Sequence, residues 1–248
     1  MSVAVVTGGA SGIGAALARG LAARGWHCVL IGRREDRLRA AADEVGGEYE
    51  VCDVADREAV ERAAASVRER HAEVRLLVNN AGVSGKGGFL DLPPERIEEL
   101  VRINYLGSLW CVRAFLPALE AGAPSQVVNI VSVAGTVALG PYSASKHAQL
   151  AFSRSIAAEL RPRGIRVVTV NPGLVRTEGF PQHALMRGQL RRIVVGPEYV
   201  AERILRAVER DRVEVFVPWW YRLASLGQAF LPGTFARVQA RRGGRSVP

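Results

Sequence analysis

The stretch Thr7-Gly8-Gly9-Ala10-Ser11-Gly12-Ile13-Gly14 follows the short apolar run Val3–Thr7 at once and opens a segment of helical period, Ile13–Arg24. Residues without a Cβ atom let the backbone approach a pyrophosphate, and the N-terminus of a helix offers unpaired N–H groups and partial positive charge. The spacing is G-x-x-x-G-x-G, so it matches the more general G-x-G-x-x-G pattern only in kind. Because the turn lies between a strand and a helix, it predicts a dinucleotide site formed by Gly8, Ser11, Gly12, Ile13 and Gly14.

The rest of the chain repeats this alternation of short apolar runs and longer segments rich in Ala, Arg and Glu. Such a rhythm predicts a single α/β domain with a doubly wound parallel sheet of about seven strands and helices on both faces. The expected strands are Val3–Thr7, His27–Gly32, Glu48–Cys52, Leu76–Asn79, Gln126–Val131, Ile165–Asn171 and Val213–Val217. The expected helices are Ile13–Arg24, Glu35–Val45, Arg57–His71, Pro94–Leu119, Tyr142–Leu160 and Pro197–Arg210. Since Gly107 lies inside Pro94–Leu119, that segment is expected as two helices or one bent helix.

Composition excludes several classes of protein. Of 248 residues, 48% are hydrophobic and 23% charged, so the chain can bury a large core and is neither disordered nor collagen-like. The cysteines Cys28, Cys52 and Cys111 have no partner at C-x-x-C spacing, which argues against a disulfide scaffold and against a zinc site. The net charge of +9 comes from arginines spread along the chain, and this favours solvated helix faces over a nucleic-acid partner.

The residues after the second expected strand indicate which dinucleotide binds. About twenty residues past the glycines, an NAD-binding chain carries an Asp or Glu that accepts the adenosine ribose hydroxyls. Here the sequence reads Ile31-Gly32-Arg33-Arg34. Two guanidinium groups suit a 2′-phosphate that a carboxylate would repel, so NADP(H) is favoured and NAD(H) is the alternative. A second interpretation is that both arginines are solvated residues at the start of a helix.

A tyrosine and a lysine one helical turn apart form the candidate chemical site. Tyr142-Ser143-Ala144-Ser145-Lys146 begins an expected helix, and the i, i+4 spacing brings the phenol and the ammonium to one face. A nearby cation stabilises the phenolate and lowers the pKa of Tyr142, which would let it exchange a proton at neutral pH. Such a pair alone is common on helix surfaces.

Taken together, these elements resemble the classical short-chain dehydrogenase/reductase family from Val3 to about Pro218, which implies a Rossmann-type fold. The shared motifs are Thr7-Gly8-x-x-x-Gly12-x-Gly14, Asp53-Val54, Asn79-Asn80-Ala81-Gly82, Asn104 in Ile103-Asn104-Tyr105-Leu106-Gly107, Ser132, Tyr142-x-x-x-Lys146 and Asn171-Pro172-Gly173-x-x-x-Thr177. Seven motifs in order are far more specific than any one of them.

The resemblance implies a role for each matching residue. Tyr142 would be the general acid/base, Lys146 would modulate its pKa and bind the ribose, Ser132 would donate to the substrate oxygen, and Asn104 would support a water chain to Lys146. Asp53 would contact the adenine ring, Asn80 would lie near the adenosine ribose, and Thr177 would touch the nicotinamide carboxamide or the phosphates. The remaining cofactor contacts it implies are Val54, Ala81, Gly82, Pro172, Gly173 and Val175.

One departure concerns the loop before Tyr142. Ser132 and Tyr142 are ten positions apart, a few fewer than is usual in the family, so the loop Gly135–Pro141 is shortened. Because a loop can shorten without moving the strand or the helix, Ser132 is still expected to reach the site. The mouth of the pocket is expected to be more open on this side.

The implied reaction is reversible hydride transfer between NADP(H) and a carbonyl or alcohol. A pocket lined by apolar side chains favours a hydrophobic ketone, aldehyde or alcohol as the substrate. The expected lining residues are Val83, Leu139, Leu174, Phe180, Leu185 and Met186. The alternative is a catalytically silent, nucleotide-sensing protein of the same fold, against which the intact Tyr142, Lys146, Ser132 and Asn104 argue.

The chain is expected to comprise a cofactor-binding domain, 1–218, and an amphipathic, basic C-terminal extension, 219–248. Trp219–Leu231 carries an apolar helical face, which suits packing on a substrate lid or a neighbouring subunit. With Arg237, Arg241, Arg242 and Arg245 it also suits an anionic membrane surface. A homodimer or homotetramer is expected, through helix faces around Leu109 and Leu150. No secretion signal or membrane span is apparent, so a cytoplasmic location is expected, with peripheral membrane contact as the alternative.

Overall fold

The computed structural model describes residues 1–85, 87–138, 140–178 and 193–243. Seven parallel strands in this part of the chain form one sheet in the order β3-β2-β1-β4-β5-β6-β7. Its strands are β1 Val3–Thr7, β2 His27–Gly32, β3 Glu48–Val51, β4 Leu76–Asn79, β5 Ser125–Ile130, β6 Ile165–Pro172 and β7 Glu214–Val217. The Rossmann-type α/β fold is thereby confirmed. The strand order reverses between β1 and β4, and ligands bind open sheets of this kind at the carboxyl ends beside such a reversal.

Helices cover both faces of the sheet. They are α1 Gly12–Ala22, α2 Glu35–Val45, α3 Arg57–Arg70, α4 Pro94–Val101, α5 Gly107–Ala121, α6 Pro141–Leu160, α7 Pro197–Glu209, α8 Tyr221–Phe230 and α9 Pro232–Gly243. A π-helical turn, Arg102–Leu106, separates α4 from α5. The break expected inside Pro94–Leu119 is therefore present and ends at Gly107. Helix α6 begins one residue before the expected Tyr142, because Pro141 occupies its first turn.

The core consists of two layers, one on each face of the sheet. Alternate residues of β1 point to opposite faces: Ala4 and Val6 pack with α1, α2 and α7, whereas Val3 and Val5 pack with α3, α5 and α6. All five residues of β1 are buried, as is usual for a central parallel strand with helices on both sides. This double burial explains why the strands are apolar runs rather than alternating ones.

The C-terminal extension forms α8 and α9. Helix α8 contacts β7 and the 3₁₀ turn Val133–Thr136, so its first residues reach the carboxyl edge of the sheet. Its other side exposes large apolar side chains: Trp219, Leu223, Leu226, Phe230 and Leu231. Among the described residues, no helix has the length and hydropathy needed to cross a bilayer.

One expectation about assembly is wrong. Leu150 was expected on a helix face between subunits, but its residue is only 2% exposed. The side chain lies within the interior of its own subunit, because α6 packs on β6 and on the 3₁₀ turn. Leu109 is half-buried and keeps part of its surface exposed.

Candidate active site

The glycine turn is shaped so that backbone and ligand can approach closely. Gly8 and Gly12 have φ angles of +64° and +53°, a conformation that side chains disfavour. A Cβ added to Gly14 would lie 2.2 Å from the Gly8 carbonyl oxygen. Ser11 precedes α1 in an extended conformation and makes no side-chain cap. The first N–H groups of α1, at Ile13 and Gly14, are therefore left to an anionic ligand.

Asn80 holds this turn against the end of β4. Its Nδ2 donates to the carbonyl oxygens of Thr7, at 3.0 Å, and of Gly8, at 3.1 Å. Thr7 Oγ1 in turn accepts from the backbone N–H groups of Asn80 and Ala81, both at 3.0 Å. The amide nitrogen expected near a ribose thus binds the turn itself.

Distant segments meet above α1. A Cβ on Gly12 would lie 3.1 Å from Thr177 Cγ2, which brings the residue after β6 to the glycine turn. The Gly173 N–H donates to the Val217 carbonyl at the end of Pro172-Gly173. Val175 is buried and pairs with Val195 in an isolated bridge. The expected cofactor residues after β6 therefore lie at the carboxyl edge of the sheet, as Gly12 does.

The carboxyl end of β2 carries a cluster of arginines. The side chains of Arg33 and Arg34 are 57% and 52% exposed and form long ion pairs with Asp53, at 3.7 Å, and Glu178, at 4.0 Å. Arg37, which the sequence analysis did not single out, is closer to Glu178, at 2.6 Å. Exposed ion pairs of this kind contribute little energy, so the guanidinium groups can turn toward a stronger anion.

Asp53 and Val54 flank this cluster from the end of β3. The Asp53 carboxylate accepts from the Ala55 N–H at 3.0 Å, which fixes the turn that follows the strand. Val54 is buried, and its Cγ2 would lie 2.8 Å from a Cβ on Gly107. The side chain of Val54 therefore belongs to the core.

The shortened loop still brings Ser132 to Tyr142. Ser132 lies close enough to Tyr142 for its hydroxyl to act on the pKa of the phenol, and its Oγ accepts from the Ala134 N–H at 3.1 Å. Burial raises the pKa of Tyr142, and the hydrogen bond from Ser132 opposes that rise. Burial is the larger of these two effects on the pKa of Tyr142, and the Lys146 Nζ donates to other acceptors.

Lys146 is buried and bound by two acceptors. Its Nζ donates to the Ile130 carbonyl at 3.0 Å and to Gln149 Oε1 at 2.8 Å. Burial lowers the pKa of Lys146 to about 7, since the charged form loses its hydration. A Cβ on Gly82 would lie 3.5 Å from Nζ, so the segment after β4 passes directly beside the amine.

Asn104 lies in the π-helical turn, and such turns often occur at functional sites. Its Oδ1 accepts from the Val83 N–H at 2.8 Å, and its Nδ2 donates to the Val83 carbonyl and to Ser145 Oγ, both at 3.0 Å. The widened turn lets one side chain reach both the segment after β4 and the first turn of α6. Asn104 therefore fixes the position of Gly82 relative to Lys146.

Sequence reasoning missed Gln149 and Ser108. Gln149 is fully buried; its Nε2 donates to Ser108 Oγ at 2.8 Å, and Ser108 Oγ donates to the Asn104 carbonyl at 3.4 Å. The chain of contacts thus runs from Lys146 through Gln149 and Ser108 to the π-helical turn. The available signal was a glutamine three residues after Lys146 on the face of α6 that points inward.

Tyr221 was missed as well. Its ring covers Gly173, where an added Cβ would lie 1.9 Å from Tyr221 Cε2, and its Oη accepts from the Leu174 N–H at 3.4 Å. The ring also stacks on Trp220, with centroids 4.0 Å apart. The C-terminal extension therefore contributes a side chain to the edge of the site.

Two of the six expected pocket residues lie in the described part of the chain. Val83 and Leu174 are both half-buried and follow the carboxyl ends of β4 and β6. Leu139, Phe180, Leu185 and Met186 lie outside the described residues, as does Arg245 of the tail.

Comparisons with known proteins agree with this geometry. A family model described as short chain dehydrogenase matches residues 2–186. The chain is 33% identical over 243 residues to Dehydrogenase/reductase SDR family member 7B of Xenopus laevis, covering 87% of this chain and 73% of the relative. It is 35% identical over 224 residues to 1-deoxy-11-beta-hydroxypentalenate dehydrogenase of Streptomyces exfoliatus, covering 86% and 82%.

Among solved structures, the alcohol dehydrogenase of the archaeon Thermococcus sibiricus, complexed with 5-hydroxy-NADP, has a TM-score of 0.76 to this chain at 29% identity. The likeness covers 87% of this chain and 95% of that one. Agreement in sequence and in fold over most of the chain shows that the protein belongs to the short-chain dehydrogenase/reductase family, which is a family of oxidoreductases.

Proposed function

We propose that the protein is an NADP(H)-dependent oxidoreductase that interconverts a hydrophobic ketone or aldehyde and the corresponding alcohol. The observation that carries this proposal is the hydroxyl pair of Ser132 and Tyr142, with the buried Lys146 one turn along α6, at the carboxyl end of the sheet that also bears the glycine turn. A proton donor and a dinucleotide cradle then share one cleft.

The cradle can form because Gly14 has no Cβ, which would lie 2.2 Å from the Gly8 carbonyl oxygen and push α1 away from the turn. The pyrophosphate would lie against Gly12, Ile13 and Gly14, and the N–H groups at the start of α1 would bind it. Bound there, NADPH supplies the hydride. Gly82 and Lys146 lie where a ribose hydroxyl could bind the Lys146 ammonium.

The chain's own residues handle the proton. Tyr142 donates its phenolic proton to the substrate oxygen during reduction and takes it back during oxidation. Ser132 donates a hydrogen bond to the same oxygen and so stabilises the charge that develops there. When the Lys146 side chain is protonated, its ammonium stabilises the phenolate that remains on Tyr142.

The preference for NADP(H) is supported by the end of β2. It carries Arg33 and Arg34 where a carboxylate would serve NAD, and Arg37 lies on the same side of α2. Their present partners are distant or exposed, so a 2′-phosphate can replace them. The Thermococcus sibiricus enzyme, whose title gives an NADP derivative as its ligand, agrees with this preference.

A hydrophobic substrate is supported by the apolar residues Val83 and Leu174, which are half-buried and follow the carboxyl ends of β4 and β6. The name of the Streptomyces exfoliatus relative describes oxidation of a hydroxylated compound, in keeping with an alcohol as one partner of the reaction.

We propose further that the protein is a homo-oligomer in which the apolar side of α8 is covered by a second subunit. Leu223, Leu226 and Phe230 recur at helical spacing on α8 and are 63%, 42% and 78% exposed, and an exposed apolar helix face is typical of an interaction site. An anionic membrane is the alternative partner for the apolar side of α8, since the basic Arg237 follows on α9.

The proposed activity is tested with a panel of hydrophobic ketones, aldehydes and secondary alcohols. Turnover of each compound is measured from the change in nicotinamide absorbance, once with NADP(H) and once with NAD(H). We expect NADPH oxidation or NADP reduction for at least one class of substrate, with slower turnover for NADH. Tight NADPH binding without turnover across the whole panel would instead support a nucleotide-sensing protein.

A further inference from the structure

Away from the cofactor cleft, two imidazoles and a carboxylate meet at the opposite edge of the sheet. His27 begins β2, Glu48 begins β3, and His71 follows the last residue of α3. Because all strands are parallel, these amino ends lie at the edge away from the glycine turn and Tyr142. The cluster therefore belongs to no part of the site described above.

The three side chains converge on one point. Glu48 Oε1 lies 2.9 Å from His27 Nε2 and 3.0 Å from His71 Nε2. The candidate ligand atoms all lie within 4.8 Å of one another, and the two rings have centroids 5.0 Å apart. The side chains are 17%, 32% and 18% exposed for His27, Glu48 and His71, so an ion can enter from solvent.

We propose that His27, Glu48 and His71 bind a divalent transition-metal ion of the zinc class, with water completing its coordination. Two imidazole nitrogens and one carboxylate oxygen are a ligand set that zinc accepts. Tetrahedral bonds of about 2.0–2.1 Å place neighbouring ligand atoms about 3.3 Å apart. The two separations of 2.9 and 3.0 Å need to widen by only a few tenths of an ångström to admit the ion.

A second layer of contacts orients the carboxylate. Arg70 Nε donates to Glu48 Oε2 at 2.8 Å, which leaves Oε1 directed at the two rings. Arg70 Nη2 also donates to Glu50 Oε1 at 2.6 Å and Nη1 to Ser66 Oγ at 2.8 Å, so the guanidinium is itself fixed. Groups that hold a ligand in place raise the affinity of a metal site.

The ion would connect elements that are distant in sequence. It would join the first residues of β2 and β3 to the end of α3, and it would replace the two hydrogen-bond contacts between the imidazoles and Glu48. Since the site lies across the sheet from Tyr142, we expect it to stabilise the fold without entering the reaction. The proposal is thus independent of the proposed oxidoreductase activity.

Cobalt(II) is the probe, because its visible absorption reports its ligands. Chain without a histidine tag, treated with a chelator, is titrated with Co²⁺ and then with Zn²⁺ as competitor. We expect one saturable visible band, its displacement by one equivalent of Zn²⁺, and a rise in the melting temperature with Zn²⁺. His71→Gln keeps a hydrogen-bond donor for Glu48 and is expected to weaken Co²⁺ binding at least about tenfold.

His147→Gln is the matched control, since this ring lies elsewhere and contacts the Gly135 carbonyl through Nδ1. It is expected to bind Co²⁺ as the unaltered chain does. His27→Gln repeats the test on the second ring should His71→Gln not fold, as judged by circular dichroism. Unchanged Co²⁺ affinity in a folded ring variant overturns the proposal, and so does a sulfur-to-cobalt charge-transfer band, which would assign the ion to a cysteine.

Discussion

At the scale of single residues, the site depends on a buried lysine whose charge is not secure. Burial lowers the pKa of Lys146 to about 7, so the ammonium form is lost as the pH rises through that value. If the ammonium stabilises the Tyr142 phenolate, activity falls along the same limb. The side chain of Gln149 is well placed to shift the pKa of Lys146, because its Oε1 accepts a hydrogen bond from Nζ.

Replacing Gln149 therefore shifts the alkaline limb of the kcat/KM profile. Gln149→Leu removes an acceptor for the ammonium, so the pKa of Lys146 falls further and activity declines at a lower pH. Gln149→Glu places an opposite charge beside the ammonium, and the limb moves to a higher pH, with each shift about one pH unit. Three coincident profiles would show that Gln149 has only a structural role.

A second prediction at this scale concerns the choice of cofactor. Arg33→Asp together with Arg34→Ala removes two donors for a 2′-phosphate and adds a repelling carboxylate. The NADPH to NADH ratio of kcat/KM is expected to fall at least about tenfold, because each charge-assisted hydrogen bond contributes about 1.5–3 kcal/mol.

Arg39→Ala is the matched control, since Arg39 lies on α2 but pairs with Glu35 and Tyr49. Its cofactor ratio is expected to equal that of the unaltered protein. An unchanged ratio in the double variant would refute the phosphate-binding role of Arg33 and Arg34.

At the scale of elements, replacing either of two helical glycines by alanine is expected to have opposite effects. A Cβ at Gly14 would lie 2.2 Å from the Gly8 carbonyl, so Gly14→Ala must open the turn between β1 and α1 and is expected to abolish NADPH binding. Gly227 lies inside α8 with no atom within 4 Å of an added Cβ. Gly227→Ala is expected to stabilise the protein by about 0.5–1 kcal/mol.

Titration of NADPH by fluorescence and denaturant unfolding measure the two effects. Normal NADPH affinity in Gly14→Ala would mean that the pyrophosphate does not approach this turn. A destabilised Gly227→Ala variant would mean that α8 does not form as described.

The elements also show what sequence can and cannot supply. All seven strands were predicted to within about one residue at each end, because strands buried on both faces are recognisable as local apolar runs. The break near Gly107 could be predicted from the sequence, because glycine destabilises the interior of a helix. The π-helical turn that carries Asn104 could not be predicted, since it depends on hydrogen bonds to Val83 and Ser145.

Contacts between segments far apart in the chain were the ones missed. Tyr221 lies 48 positions after Gly173 in the sequence, yet its ring covers that glycine. His27, Glu48 and His71 have no short spacing that resembles a metal motif, and only the sheet aligns them. Ser132, Tyr142 and Lys146 were identified because each occupies a fixed place in an ordered family pattern. Gln149, which accepts from Lys146 Nζ, has no such place.

At the scale of the whole molecule, the apolar side of α8 is the exposed surface that we propose a second subunit covers. Leu223→Ser with Phe230→Ser is expected to convert an oligomer into a monomer, as measured by light scattering after size-exclusion chromatography. Val213→Ser is the matched control, because Val213 is 62% exposed but precedes β7 and lies off α8.

A protein that is monomeric before substitution contradicts assembly through α8. If that monomer also floats with anionic vesicles, and the double variant does not, the membrane is the occupant. Unchanged oligomer mass in the double variant would show that subunits meet at another face.

In the proposed function, one cleft brings a hydride donor and a proton donor together, and Tyr142 is proposed as the proton donor. The most direct measurement is therefore turnover by Tyr142→Phe, with NADPH affinity determined in the same preparation. We expect turnover to fall at least about 10²-fold, since the variant lacks the transferable proton, while NADPH binds as before. Turnover equal to that of the unaltered protein would contradict the mechanism.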